Sequence, residues 1–403
     1  MRYTALAALT LQLLASPVLS ADWTQFRGPD GQGHSSESGL PLTWSETENV
    51  VWRTPIAGLG WSSVAIQGDQ IWLTTATDEG ESLRAVCLDR QSGQIVHDVE
   101  ALHLDDPGPI HSKNSHASPT PILEKDRVYV HFGAHGSACL NTSGEVLWRN
   151  TELKYNHQHG PGGSPVIHDD LMIVICDGAD VQFVVAFDKN TGEVRWKTDR
   201  QGPMAYCTPL IIQVDGQDQV FCPGGEMAAA YNPRTGEELW RVKHPGYSVV
   251  PRPVAGHGLV FFSSSYNTPV LFAVRVNGSG DVTDSHIAWK LERGAPHNPS
   301  PLLVGDELYI VSDKGIAQCL DAKTGDQHWL HRLGGEFSAS PLLADGRIYF
   351  LNEAGETTVI KPGKTYEELA INQVDGRTLA SLSTAGKSIF LRTNQALYRI
   401  ENK

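Results

Sequence analysis

The sequence predicts an all-β protein: an eight-bladed propeller built from four-stranded blades. Three observations predict it. A tryptophan-terminated motif recurs at gaps of 40 to 49 residues, eight hairpin-turn signals divide the chain, and the strand missing from the last repeat stands ahead of the first.

The motif joins an apolar strand to a polar turn and then to a strand ending in tryptophan. Its clearest copy is Ala186-Phe187-Asp188-Lys189-Asn190-Thr191-Gly192-Glu193-Val194-Arg195-Trp196. Further copies run from Ala230 through Gly236 to Trp240 and from Cys319 through Gly325 to Trp329. A copy one residue shorter closes on Trp148, and one carrying an insertion closes on Trp289. The stretch Cys87 to His97 keeps the length but ends in histidine. The spacing of these closing residues suits four-stranded blades, and the segments between them are short, β-branched and aromatic rather than helical.

Turn chemistry counts the blades independently. Gly- or Asp-bearing turns at Gly68-Asp69, Lys125-Asp126, Asp169-Asp170, Asp215-Gly216, Gly256-His257, Gly305-Asp306, Asp345-Gly346 and Ala385-Gly386 each separate two apolar runs. The runs that follow them are nearly continuous, as in strands covered on both faces. The last repeat stops after three strands, and Asn49 to Thr54 supplies a fourth, with Trp52 as its closing tryptophan. Pairing the first strand with the last blade closes the ring and removes two sheet edges. Seven blades is the alternative count, because the repeat at 340–370 has lost its tryptophan.

Residues 1–20 read as a secretory signal peptide: Arg2, an apolar run to Leu14, then Ser16-Pro17 and the small pair Ser20-Ala21. That run is too short to span a bilayer, and it holds no cysteine for a lipid anchor, so the expected product is periplasmic or secreted. Residues 21–48 read as a clasp laid across one face, with Trp23 and Phe26 as anchors and Arg27 turned to carbonyls or an acid. Residues 49–403 form the propeller. The formal net charge of −14 argues against nucleic acid as a partner. Six cysteines spread without CxxC or an adjacent pair read as small buried core residues rather than as a disulfide framework.

The Ala-x-Asp-x-x-Thr-Gly-x-x-x-Trp signature resembles the pyrroloquinoline-quinone-like (PQQ-like) repeat. That repeat is shared by quinoprotein alcohol dehydrogenases and by the scaffold subunit of the outer-membrane protein assembly machine. The resemblance covers nearly the whole mature chain and implies that each tryptophan docks on the neighbouring blade. The opening Trp23-Thr24-Gln25-Phe26-Arg27-Gly28-Pro29-Asp30-Gly31 is similar to the start of many secreted bacterial members. For a quinoprotein alcohol dehydrogenase the resemblance implies a vicinal cysteine pair, a tryptophan platform, a calcium site and an aspartate base. This chain has no Cys-Cys and no CxxCH haem motif.

Function is expected where loops enter the innermost strands and line the central funnel. The candidate ligand-binding residues there are Trp61, His111, Asn114, His116, His157, His159, Tyr206, Tyr247, Arg252, His297, Asn298 and Glu336, with Phe337 beside the last. His116, His157 and His159 fall in two consecutive loops and form the candidate zinc or copper set. Aromatic faces with Arg and Asn suit a carbohydrate, a planar ring or a peptide. The sequence therefore favours a monomeric binding or scaffold module, its partner an envelope protein or a small polar ligand such as a carbohydrate. The alternatives are a periplasmic oxidoreductase using PQQ or a divalent metal, and a sugar-active enzyme.

Overall fold

A computed structural model describes residues 22–267 and 269–403. The expected signal peptide at 1–20 lies outside them. Among the described residues eight sheets follow one another around a ring, seven with four antiparallel strands and one with a fifth, short strand added in parallel. In the first blade the strands are Ala65–Gln67, Gln70–Thr77, Ser82–Asp89 and Ile95–His103, in that order from the axis outward. The innermost strands of neighbouring blades approach one another at the axis.

Burial follows this order. The second strand of the third blade, Leu171–Asp177, is buried along its whole length, because other blades cover both its faces. The outermost strand, Val194–Asp199, alternates between exposed and half-buried positions. Continuous apolar runs in the middle of each sheet and mixed ones at its rim are therefore one pattern, set by how many neighbours a strand has.

Val50–Pro55 pairs antiparallel with Ala396–Ile400 and completes the last blade, as the sequence predicted. The repeat at 340–370 is a full blade despite its missing tryptophan, so the count is eight rather than seven. Two turns fall one residue later than the sequence suggested. His257 and Gly258 carry the positive φ angles of one, and the other centres on Gly386 after a strand ending at Ala385.

The tryptophans lock each blade to the next. The Trp52 indole donates to Arg90 O, Trp148 to Lys189 O, Trp196 to Pro233 O, Trp289 to Ala322 O and Trp329 to Gly363 O, all at 2.9–3.1 Å. Glycine sits under several of these rings for a steric reason. A Cβ on Gly192 or Gly236 would lie 2.5 Å from Trp148 or Trp196, and both glycines have φ above +70°. The apolar core is accordingly divided into wedges between blades, the largest shared by the seventh, eighth and first. All six cysteines are unpaired and buried within these wedges. Burial raises their thiols, that of Cys139 to about 11 and that of Cys87 to about 12.

Candidate functional site

The residue two positions ahead of each innermost strand is Ser or Thr in seven blades: Ser63, Thr120, Ser164, Thr208, Ser300, Ser340 and Ser381. Each hydroxyl accepts the backbone N–H of the equivalent residue in the preceding blade. Ser63 N donates to Thr120 Oγ1, Thr120 N to Ser164 Oγ, Ser164 N to Thr208 Oγ1, and the series continues through Ser381 N to Ser63 Oγ, at 2.8–3.1 Å. The fifth blade has Arg252 at this position. Its own N–H still donates to Ser300 Oγ at 2.9 Å, but its side chain has no oxygen to offer Thr208. The ring of hydroxyls is thus broken once, and the guanidinium turns toward the N-terminal segment.

That segment crosses the axis just beyond the ring. Trp23 pairs with Ile66, Thr24 O accepts Leu123 N, Gln32 Oε1 accepts Ala255 N, His34 Nε2 meets Leu303 O, and Gly33 O accepts Leu343 N. Every one of these contacts is made three residues after a ring position. The innermost strands are free edges, and the segment occupies unpaired groups of the first, second, fifth, sixth and seventh blades. Phe26 faces the axis and forms the floor of a funnel of about 690 Å³.

The seven hydroxyl residues line this funnel at its narrow end. Above them stand Trp61, His111, Asn114, His159, Tyr206, Tyr247, His297 and Asn298, eight of the twelve residues proposed from sequence. The rings form two runs along the wall: His111 to His159 at 5.4 Å between centroids and His159 to Tyr206 at 5.9 Å, then Tyr247 to Tyr266 at 5.3 Å and Tyr266 to His297 at 6.3 Å. Burial pushes the Tyr206 phenol up to about 12, while burial and then His111 lower the His159 imidazole.

The other four candidates lie elsewhere. Arg252 is buried beneath the funnel on the carbonyls of Pro209 and Phe26. Glu336 is on the rim, paired with Lys113 Nζ at 3.0 Å. His116 and His157 sit behind the wall with His135, the ring centroids of His116 and His157 being 5.6 and 4.6 Å from that of His135. His159 is in the funnel, so His116, His157 and His159 are divided between two environments. Among the described residues no three His, Cys, Asp or Glu side chains are disposed to hold a metal ion.

Sequence reasoning missed three features. Asp313 lines the funnel beside His297 and Asn298, accepting the His297 N–H at 2.6 Å and the Asn298 amide. Burial raises its carboxyl despite those donors. Lys113 spans from the second blade to the seventh, bonding Glu336 and Glu353 at 3.0 Å each. Arg377 of the eighth blade joins the same Glu353 and donates to Ser112 O. Burial raises the Glu353 carboxyl, but its bonds from Ser338, Lys113 and Arg377 outweigh this and leave it below its usual value. The loop of 104–121 is thereby latched over part of the mouth. The hydroxyl ring was also missed, although Thr120-Pro121, Ser164-Pro165, Thr208-Pro209, Ser300-Pro301 and Ser340-Pro341 announce it as a recurring dipeptide.

Fold and site together define an eight-bladed propeller with a blind, aromatic and hydroxyl-lined central funnel. Residues 97–325 and 279–398 match the family model described as outer membrane protein assembly factor BamB, and the chain belongs to that family of PQQ-like repeat propellers. A curated BamB from Burkholderia pseudomallei (strain K96243) is 33% identical over 69 residues, 17% of this chain and 18% of that protein. BamB from Moraxella catarrhalis superposes with a TM-score of 0.64 at 14% identity, covering 87% of this chain and 99% of its own. A quinohemoprotein alcohol dehydrogenase from Comamonas testosteroni gives 0.66 at 10% identity, covering 95% and 81%. A europium-containing methanol dehydrogenase gives 0.63 at 11%, covering 92% and 89%. At these identities the solved structures share the fold and carry no chemistry to this chain.

Proposed function

We propose that this chain is a binding module of the cell envelope and that the funnel takes a small, polar, ring-shaped ligand. One observation carries the reading: the funnel is blind. Phe26 and the N-terminal segment close its floor, leaving about 690 Å³ within the range of small-ligand sites. Its wall alternates flat faces (Trp61, Tyr206, Tyr247, Tyr266) with amides and imidazoles, and its narrow end presents hydroxyls. Such a lining offers stacking together with many weak, neutral hydrogen bonds, which suits a carbohydrate.

The donor set is a poor match for a calcium-bound quinone. Calcium takes six to eight oxygens, several from carboxylates. Among the described residues Asp313 is the one acidic residue lining the funnel. An anionic quinone needs cations, and the lining cation Lys113 is already engaged by Glu336 and Glu353. Membership of the BamB family also supports binding to an envelope protein, and the outer rim remains available for such a partner while the funnel is filled.

The test is intrinsic-fluorescence titration of the mature protein, which has Trp61 in the lining, with a panel of mono- and disaccharides and with PQQ plus calcium. The expected result is a saturable change with one or more saccharides. It should be weakened at least tenfold by Tyr206→Ala, with the melting temperature kept within a few degrees. Uptake of PQQ with calcium in place of any sugar would replace this reading with the oxidoreductase one. No response to either would leave the rim, rather than the funnel, as the binding surface.

A further inference from the structure

Beneath the funnel floor two guanidinium groups are buried side by side in the fold. Arg252, 2% exposed, directs Nε to Pro209 O at 3.1 Å, Nη1 to Phe26 O and Nη2 to Gln25 Oε1 at 3.3 Å. Arg27, also 2% exposed, directs Nη2 to Gln32 O at 2.8 Å. Its Nε and Nη1 are buried and meet no acceptor among the described residues. All the acceptors given to these two side chains are neutral carbonyls. The carboxylate that acts on both is Asp30, which lies at the surface and is bound by Gln32 N at 2.8 Å and His34 Nδ1 at 2.7 Å.

Two buried cations and one surface carboxylate leave the region short of a negative charge. An unpaired buried cation is among the most expensive groups in a protein interior, and a buried N–H donor without an acceptor adds its own penalty. Burial and then Arg252 lower the Arg27 guanidinium to about 9, against a smaller opposing pull from Asp30, in keeping with a charge that the surrounding carbonyls compensate poorly.

We infer that a small anion of halide size binds under the funnel floor, held by Arg27 Nε and Nη1 and by the field of Arg252. The packing selects its size. A Cβ on Gly31 would lie 2.5 Å from Arg252 Cζ, and one on Gly33 would lie 2.6 Å from Arg27 Nη2. The turn of 28–33 is therefore wrapped closely on Arg252 and on Arg27 Nη2, which favours a small anion over a bulky one. The anion cements the N-terminal segment to the fifth blade at the one place where the hydroxyl ring is interrupted. This inference is independent of what the funnel binds.

The experiment is thermal melting of the mature protein in sodium gluconate, with chloride or bromide substituted at constant ionic strength, together with anomalous diffraction from bromide-grown crystals. A ligand that binds only the native state raises the melting temperature by mass action. Expected are a saturable rise of several degrees with either halide and a bromide peak on Arg27. Arg27→Met should abolish the halide dependence. Equal melting in halide and gluconate, or a water without anomalous signal between the two arginines, overturns the inference. So does a peak that appears only at molar bromide without a melting shift, which is an adventitious ion. If Arg27→Met fails to fold, the melting series and bromide map of the unaltered protein decide.

Discussion

Gly236 and Gly346 share a backbone conformation, with φ of +73° and +68°, but not an environment. The site of a Cβ on Gly346 is open, whereas on Gly236 it would meet Trp196 Cε3 at 2.5 Å. Gly346→Ala should therefore show only the backbone penalty of a left-handed residue, about 1–2 kcal/mol. Gly236→Ala should add the overpacking of a ring docked between blades, bringing the loss to about 3–4 kcal/mol. Melting the two variants side by side checks this, and equal losses would mean that Trp196 gives way freely. Arg252 shows what one residue's identity leaves undecided. The sequence placed it among funnel candidates because its loop enters an innermost strand, which is correct for the backbone. Whether a long side chain at that position turns up into the funnel or down to the clasp depends on Phe26 O and Gln25, some 226 residues away in sequence.

At the scale of elements, the repeat was legible because its glycine and tryptophan positions are fixed by contact, and exceptions were illegible where something distant substitutes. His97 was legible as the closing residue of its copy and takes the tryptophan's place, with the Gly144 Cβ site 3.2 Å from its ring. Trp44 of the N-terminal segment stacks on Tyr349 at 6.2 Å and fills the core of the blade that lost its own tryptophan. Trp240 keeps the motif but bonds Gln219 of its own blade, and the strand Gly280–Asp281 from the insertion pairs in parallel beside it. The histidines follow the same logic. The sequence saw that consecutive loops bring them together, but not that His131 and His135 of the second blade would draw His116 and His157 behind the wall. Burial, and for His135 then His157, lowers these imidazoles: His131 to about 4, His135 to about 3 and His157 to about 4. Lys154 adds to the effect on His135, and His131 Nδ1 is bonded to Ser137 Oγ. Because the folded values lie below the unfolded one near 6.5, the unfolded chain takes up protons first on acidification. Their contribution is complete above about pH 6.5 and is lost as pH falls toward 4, by roughly 3 kcal/mol for one group shifted two units. The melting temperature should fall steadily over that window, and His135→Asn should flatten the slope. A slope unchanged by that variant would place the titration elsewhere.

For the molecule as a whole, closure is achieved twice, by different means. The strand Val50–Pro55 closes the ring at its rim by pairing with Ala396–Ile400, and this was readable because both halves of the blade carry strand patterning. Residues 22–35 close it at the axis; a clasp over one face was expected of this segment, but not which groups it meets, since its partners are single backbone groups on five separate blades. The two closures divide the labour. The rim strand decides whether eight sheets form a ring, and the axial segment decides whether the ring has a floor. Shortening the chain to begin at Asn49 removes the second closure and leaves the first. Three large buried side chains, Trp23, Leu40 and Trp44, go with it. At about 2–3 kcal/mol each, before hydrogen bonds on the inner edges, the loss amounts to roughly 7 kcal/mol and a fall in melting temperature of about 9 °C. Circular dichroism of the shortened chain should still report β-structure, while the halide dependence of melting disappears with Arg27 and the funnel becomes a through-channel. A shortened chain that melts with the full-length protein would mean that the axial segment rests on the ring without holding it. One that loses its β-signal altogether would mean that the rim strand cannot close eight blades alone.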